Sequence, residues 1–416
     1  MQNKVVVIGG GAAGAIAAGT AAFRGLDVTL LERNDRIARK IMITGKGRCN
    51  LTNNVQSVYE IIDNIPRNGR FLYSAFSQFM PYDTIDFFES LGVKLKVERG
   101  NRVFPLSDKS VDVVDALNLF LKKSGVKTKT SRACELIIDE GQVTGVKMAN
   151  GDIVFADAVI VATGGLSYPK TGSTGDGYYF AKCAGHTIVP PKPSLVALKS
   201  SDTFCAQLQG LSLKNISIKV LDNERKEVLY SDFGEMIFTH VGLSGPVILS
   251  ASSHIRDFNS GKFCVSIDLK PALSLEQLDS RVQRDFLKYS NKDFSNSLFE
   301  LLPRKMIPVI IKKCGIPTDL KVNQITKEMR KAFTYAIKNF IVTISGFGDI
   351  NEAIVTSGGV STDEIDPKTM RSKKVEGLYF AGEVIDVDGY TGGFNLQIAF
   401  STGRLAGNSI LEDHRL

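Results

Sequence analysis

The sequence is poor in the residues that build metal centres and disulfide frameworks. It has four His, and no two of them share helical metal-ligand spacing. Its six cysteines are Cys49, Cys134, Cys183, Cys205, Cys264 and Cys314. None forms a C-x-x-C pair, so neither a zinc knuckle nor a local redox pair is written in the chain, and no metal is expected. No stretch approaches ~20 uninterrupted apolar residues, which excludes a membrane-spanning helix on sequence grounds. The opening MQNKVVVIGG lacks the core and cleavage site of a signal peptide, so a reducing cytoplasm is the expected setting. There is no internal repeat, no low-complexity tract and no long basic run. The formal charge of +7 therefore reads first as a solvated surface, and nucleic acid is not the expected partner.

What is present points elsewhere. A chain of 416 residues with 43% hydrophobic content is long enough for two or three domains. Its 38 glycines cluster, as they do where backbone must approach a ligand closely. Lys4 to Ile8 is a short β-branched run ending in Gly, and DVTLLE from Asp27 to Glu32 is a second strand. With the Gly- and Ala-rich segment between them they make a β-α-β unit. Helical spacing follows at Thr84–Leu91 and Val111–Lys122, and a hairpin at Val126–Lys147 around Gly141. DAVIVAT, from Asp157 to Thr163, is another buried strand. The cluster Pro190-Pro191-Lys192-Pro193 breaks any helix and marks a domain boundary. Strand alternation then holds to about Leu269, a charged helical excursion runs from about Leu275 to Lys338, strands return at Ile354–Val360 and Leu378–Phe380, and a last helix spans about Asn395–Leu411.

Gly9-Gly10-Gly11-Ala12-Ala13-Gly14 fits G-x-G-x-x-G directly after a strand and at the opening of a helix. Gly9 permits the tight turn, Gly11 lets a pyrophosphate approach the backbone, and Gly14 lets helix and strand pack closely. The helix N-terminus offers unpaired N–H groups and partial positive charge to the phosphate. Glu32 ends the second strand 18 residues past Gly14 and can accept from the hydroxyls of an adenosine ribose. The unit therefore predicts a bound dinucleotide.

Arg33, directly after Glu32, keeps a phosphorylated ribose arguable, but the rest of the chain favours FAD. The loop from Ile37 to Asn53, IARKIMITGKGRCNLTN, offers Lys40, Gly47, Arg48, Cys49 and Asn50 to a phosphate or flavin edge. A polar surface loop is the competing reading. Thr163-Gly164-Gly165, followed by Tyr168-Pro169-Lys170-Thr171-Gly172-Ser173-Thr174-Gly175-Asp176-Gly177, is a second Gly cluster at a strand end. A third comes late: strand, Ala381, Gly382, Glu383, then Gly389, Gly392 and Gly393 leading through Phe394-Asn395 into the last helix. An acid at a strand end can bond a ribityl hydroxyl. A helix N-terminus facing the flavin pyrimidine would stabilise negative charge there on reduction.

The set GGGAAG, GKGRCNLTN, ATGGLSYPKTGSTGDG, FTHVGLSGP, SGGVSTDEI and GLYFAGEVIDVDGYTGGFNLQIAFSTG spans nearly the whole chain. It resembles a bacterial family of NAD(P)/FAD-dependent oxidoreductases, aminoacetone-oxidase-like FAD-binding flavoproteins that include a branch reducing bile-acid intermediates. More distantly it is similar to glutathione-reductase-type and fumarate-reductase flavoproteins. The resemblance implies an α/β fold with a discontinuous Rossmann-like FAD domain (1–190 and 350–416), an inserted β-rich, barrel-like domain (191–270 and 339–349) and a helical segment (271–338). It implies Gly9, Gly11, Ala12, Ala13 and Gly14 at the pyrophosphate and Glu32 at the ribose. Arg48, Cys49 and Asn50 would run along the cofactor, with Ala133 or Cys134 at the adenine. Thr163 and Gly164 would flank the nucleotide, and Gly382, Glu383, Gly393, Phe394 and Asn395 would lie near the ribityl and ring. Lys46 departs from the family, which commonly has Gly there, and adds a positive charge to the loop.

Residues for the chemistry are less marked. His240, in FTHVGLSGP, could protonate a substrate, against the plainer role of satisfying a turn. Tyr168 could donate to a substrate oxygen, against simple packing. Cys49 has no partner near it in sequence, and His186 and His254 read as structural. The expectation is an FAD enzyme that reduces a small organic substrate with electrons from NAD(P)H. An oxidase of an amine or alcohol, and an RNA-modifying or non-catalytic flavoprotein, are the alternatives. The chain carries no second strand-G-x-G-x-x-G-helix unit, because Gly346 and Gly348 lack a third Gly in register. A nicotinamide nucleotide would therefore bind only transiently. The oligomeric state is open.

Overall fold

The computed structural model describes residues 3–255, 258 and 262–410. The expected end of the last helix at Leu411 and the first two residues lie outside these. The chain forms two compact units, Met1–Ser194 with Asp349–Leu416, and Leu195–Gly348.

The first unit is built on a parallel sheet of five strands. In chain order they are β1 (Lys4–Ile8), β2 (Asp27–Glu32), β3 (Lys127–Thr130), β4 (Ala158–Val161) and β5 (Leu378–Phe380), and they lie side by side as β5-β4-β1-β2-β3. Val5, Val6 and Val7 of β1 and all four residues of β4 are buried, as expected for strands covered on both faces. β5 joins from the far end of the sequence, pairing Val159 with Leu378 and Val161 with Phe380. Helix α1 (Ala12–Phe23) follows β1, and the C-terminal helix α2 (Phe394–Ser409) packs against it. Their contact is so close that a Cβ on Gly403 would overlap the Ala13 carbonyl, and one on Gly407 would sit 2.7 Å from the Ala17 oxygen.

Two sequence expectations shift. The segment from Val126 does not open the hairpin: Lys127–Thr130 joins the parallel sheet, and the hairpin is Ala133–Asp139 with Gln142–Met148. The proline cluster does break helix, but as part of an edge strand, Ile188–Ser194, that pairs antiparallel with Val355–Val360. Its register breaks between Val189 and Lys192, where proline cannot donate. The boundary between units accordingly falls after Ser194 rather than before Pro191.

The second unit is a closed six-stranded antiparallel barrel of Leu198–Ser200, Gly242–Ser244, Glu227–Thr239, Ser212–Asp222, Phe263–Asp268 and Phe340–Phe347. Closure leaves no edge strand exposed. The helical excursion contributes Leu275–Lys288, Met306–Cys314 and Lys327–Lys338. Leu278, Val282, Ile310, Phe333 and Ile337 of these helices share one hydrophobic core with barrel residues Ile218, Val265 and Val342. A separate helical segment at 271–338 is thus replaced by one unit, because the helices bury their apolar faces on the barrel.

Candidate cofactor site

The three motif glycines have three different surroundings. Gly9 adopts φ +98°, and a Cβ on it would lie 2.6 Å from the Ala162 carbonyl oxygen. A Cβ on Gly14 would overlap the Gly9 carbonyl, so that residue fixes the helix against the strand. Gly11 differs from both, because no atom of the described residues lies within 4 Å of its Cβ position. It is the N-cap of α1, and no side chain caps the helix there. The first-turn N–H groups therefore face open space suited to an anion.

Glu32 is 7% exposed and firmly held. Its Oε2 accepts from Gly10 N (2.8 Å), and its Oε1 accepts from Asn34 N (2.8 Å) and Asn34 Nδ2 (2.7 Å). A carboxylate has about four acceptor positions, so capacity for a ribose hydroxyl remains. Beyond it Arg33 donates to Thr174 Oγ1 (2.6 Å), and Arg132 grips both oxygens of Asp176 at 3.0 Å. These contacts join the end of β2, the residues before the 133–139 strand and the 171–176 loop at the Glu32 end of the site.

One cavity of about 1300 Å³, counted to its open mouth, runs from this end to the first turns of α2. Its walls include Gly9, Gly11, Ala12, Ala13, Glu32, Arg33, Lys40, Ala133, Thr163, Gly164, Gly382, Glu383 and Asn395. Inside it, Lys40 Nζ donates to Ser167 Oγ and Glu383 Oε2, both at 2.6 Å, and Glu383 Oε1 accepts from Thr356 N at 2.8 Å. Two of the three ammonium donors of Lys40 are thus used. Gly165 is dictated by this cluster, since a Cβ there would overlap Thr356 Oγ1. Thr163 Oγ1 is buried without a partner among the described residues and faces Gly177 rather than the open space. The open Gly11 cradle and the Glu32 acceptor are together a donor and acceptor set that a dinucleotide cofactor fits.

Gly14, Gly47, Arg48, Cys49, Asn50, Cys134, Gly393 and Phe394 are not part of the cavity wall. Gly14 is inside α1. Arg48 is turned to the surface, where it pairs with Glu98 and with Asp108 (2.6 Å) and lies 4.2 Å over the Phe104 ring. Its hydrogen bonds draw the Glu98 carboxyl below its usual range, and those of Lys96 and Arg48 do the same for Asp108. Gly47 belongs to the same loop, with φ +84°. Cys49 is fully buried, and burial pushes its thiol up to about 12, so it is no thiolate nucleophile. Asn50, with its amide set to satisfy both ends, accepts from Gly393 N (2.9 Å) and donates to Thr52 O and Val103 O. It braces the start of α2. Gly393 has φ +100° and no room for a side chain against Thr52. Phe394 is buried beside Gly389 and Gly392. Asn395 reaches the cavity, and its amide also holds Gly389 N, Gly389 O and Tyr390 O. Of the adenine pair, Ala133 lines the cavity and Cys134 is exposed.

Tyr168 is half-buried at φ +52° in the 164–172 loop, its carbonyl accepting from Thr171 N (2.8 Å) and Thr171 Oγ1 (2.7 Å). His240 sits at the exposed turn between two barrel strands of the second unit. Sequence reasoning missed the roles of Gly10, Asn34, Arg132, Ser167 and Thr356. Only Asn34, two residues from Glu32, carried a local signal.

Parallel sheet, glycine cradle and C-terminal helix are those of a dinucleotide-binding fold, and its relatives make the chain an FAD-dependent oxidoreductase. The chain belongs to the family described as HI0933-like protein Rossmann domain, whose model matches residues 3–409. It is 33% identical to the 3-dehydro-bile acid delta(4,6)-reductase of Clostridium scindens over 99% of this chain and 100% of that protein. It is 32% identical to the ribosomal RNA dihydrouridine synthase of Haemophilus influenzae, over 98% of each. Among solved structures, a flavocytochrome c3 fumarate reductase in an open conformation aligns with TM-score 0.53 at 18% identity, over 98% of this chain and 78% of that one. The 3-ketosteroid delta1-dehydrogenase of Sterolibacterium denitrificans aligns with TM-score 0.50 at 14% identity, over 98% and 99%. Both structures show a shared fold. Among the described residues, no helix is long and apolar enough to cross a membrane.

Proposed function

We propose that the protein takes electrons from NAD(P)H through FAD and reduces a carbon–carbon double bond conjugated to a carbonyl in an organic acceptor. The observation that carries this reading is the single cavity that joins the ribose acceptor Glu32 at one end to the first turns of α2 at the other. FAD, when bound, supplies reversible two-electron transfer. The N-terminus of α1 at Gly11 holds the pyrophosphate, and Glu32 holds the adenosine ribose. Lys40 keeps one ammonium donor for the cofactor beside Glu383. The N-terminus of α2, without a side-chain cap, favours negative charge at the ring end. Tyr168, in a loop whose flanks Gly164 and Thr171 border the cavity, is the candidate proton donor to the acceptor.

Support for the acceptor class comes from two relatives. The bile-acid reductase acts, by its name, on a 3-dehydro compound with double bonds at positions 4 and 6, and the dihydrouridine synthase by its name yields a saturated uracil ring. In both acceptors the unsaturation is conjugated to a carbonyl. A second reading puts that bond in RNA, and the charge distribution favours it: residues 195–348 hold 21 Lys and Arg against 15 Asp and Glu, nearly all of the chain's excess. The test is to reduce the enzyme anaerobically, then mix it with a 3-oxo-Δ4 steroid or with unmodified ribosomal RNA. Return of the flavin band near ~450 nm with either acceptor supports the reading and selects its branch. Return only with oxygen contradicts it.

A further inference from the structure

The second unit cannot supply a second nucleotide cradle of the kind β1 and α1 make, because its named strands all pair antiparallel in a closed barrel. If the electron donor is a nicotinamide nucleotide, as proposed above, its phosphates need another partner. The first unit carries one beside the start of α2. Strands Leu95–Glu98 and Arg102–Pro105 form a hairpin whose tip is Arg99-Gly100-Asn101-Arg102. Asn53 clamps that tip to the start of α2: its Nδ2 donates to Gly100 O (3.1 Å) and to Gly392 O (3.0 Å), and Asn54 N donates to Asn101 O (2.6 Å). Asn53 is 5% exposed and its Oδ1 has no partner. The tip is therefore anchored next to the helix terminus at which the cavity ends.

Charge makes the tip selective. The acids of this small sheet and the turn after it, Glu98 and Asp108, are consumed by Arg48 and Lys96. Among the described residues Arg99 and Arg102 have no acidic partner, and both are exposed. Arg102 Nε donates only to the Arg99 carbonyl (3.0 Å), which draws the two residues together. Gly100, at φ +77° with nothing near its Cβ position, leaves the space between them open. Two guanidinium groups on a fixed hairpin suit the paired phosphates of a nucleotide.

We infer that Arg99 and Arg102 bind the pyrophosphate of the nicotinamide nucleotide that delivers electrons at the ring end of the cavity. The test is calorimetric titration of the oxidised holoenzyme with ADP-ribose, which carries the pyrophosphate and cannot reduce the flavin. The wild type should bind it, and Arg99→Gln/Arg102→Gln should bind it about ten-fold or more weakly. Lys122→Gln/Lys123→Gln, which removes the same charge at the far end of another helix, should bind it normally. Flavin content and reduction by dithionite should be unchanged in the double variant. Absence of ADP-ribose binding by the wild type, equal binding by the arginine variant, or a loss seen only with an RNA oligonucleotide would each overturn the assignment. Failure of NAD(P)H to bleach a holoenzyme that binds ADP-ribose through these arginines would instead reject the donor and leave the phosphate site standing.

Discussion

The two units of this chain use the same alphabet in opposite ways. The first, Met1–Ser194 with Asp349–Leu416, holds 30 of the 38 glycines and is almost neutral, with 30 Lys and Arg against 29 Asp and Glu. The second has 8 glycines and six more basic than acidic side chains. In the first, glycines at 9, 14, 165, 393 and 403 remove side chains where backbone meets backbone or a buried polar group, and Gly11, at the start of α1, borders space left open at the cavity wall. In the second, β-branched and aromatic residues close a barrel around an apolar core and charge is carried on the outside. A cofactor site needs backbone brought near a ligand. A docking surface needs only charge on a stable frame.

The sharpest way to break this contrast is to substitute two glycines of one motif. Gly14→Val should prevent folding of the first unit, because Gly9 O occupies its Cβ position. Gly11→Val should fold with a native circular dichroism spectrum and yet purify without flavin. Glu32→Ala should fold but retain FAD about ten-fold to a hundred-fold less tightly, measured by flavin release on dialysis, since a charged acceptor worth ~1.5–3 kcal/mol is lost. Asp176→Asn frees Arg33 and Arg132 from their shared partner. It should speed FAD dissociation a few-fold at low salt and less at high salt, because such part-exposed pairs are worth ~0.2–1 kcal/mol and are screened.

Cys49 gives a pH signature. Its folded thiol is pushed up to about 12 by burial, from a usual value of 9.0. Above pH 9 the unfolded chain releases that proton while the folded one keeps it, so stability is lost as pH rises from about 9 toward about 12, by ~1 kcal/mol per pH unit. Urea unfolding of Cys49→Ala between pH 8 and about 10 should show a shallower fall than the wild type. The smallest effect is expected on the other unit: Lys327→Gln/Lys331→Gln should leave flavin content unaltered.

Local chemistry was legible in the sequence, and distant chemistry was not. The strand–Gly–helix unit could be read because its turn and packing are set within about thirty residues by backbone geometry. The alternation of 215–220 and 263–269 exposed the barrel strands for the same reason. Arg48 looked like a cofactor contact because it stands in a Gly-rich loop, but its partners Glu98 and Asp108 are 50 and 60 positions away. Lys40 and Glu383, 343 positions apart, were each marked as cofactor residues, yet their mutual ion pair could not be foreseen. The helical excursion looked separate because its polar faces dominate the sequence, while the few residues that bind it to the barrel are spread over three helices.

The decisive measurement is anaerobic stopped-flow absorbance of the purified holoenzyme mixed with NADH or NADPH. Rapid bleaching of the flavin band near ~450 nm is expected in the wild type, and no flavin band at all in Gly11→Val. A yellow Gly11→Val protein that bleaches like the wild type would contradict this expectation, because the flavin would then be held somewhere other than the cradle of β1 and α1.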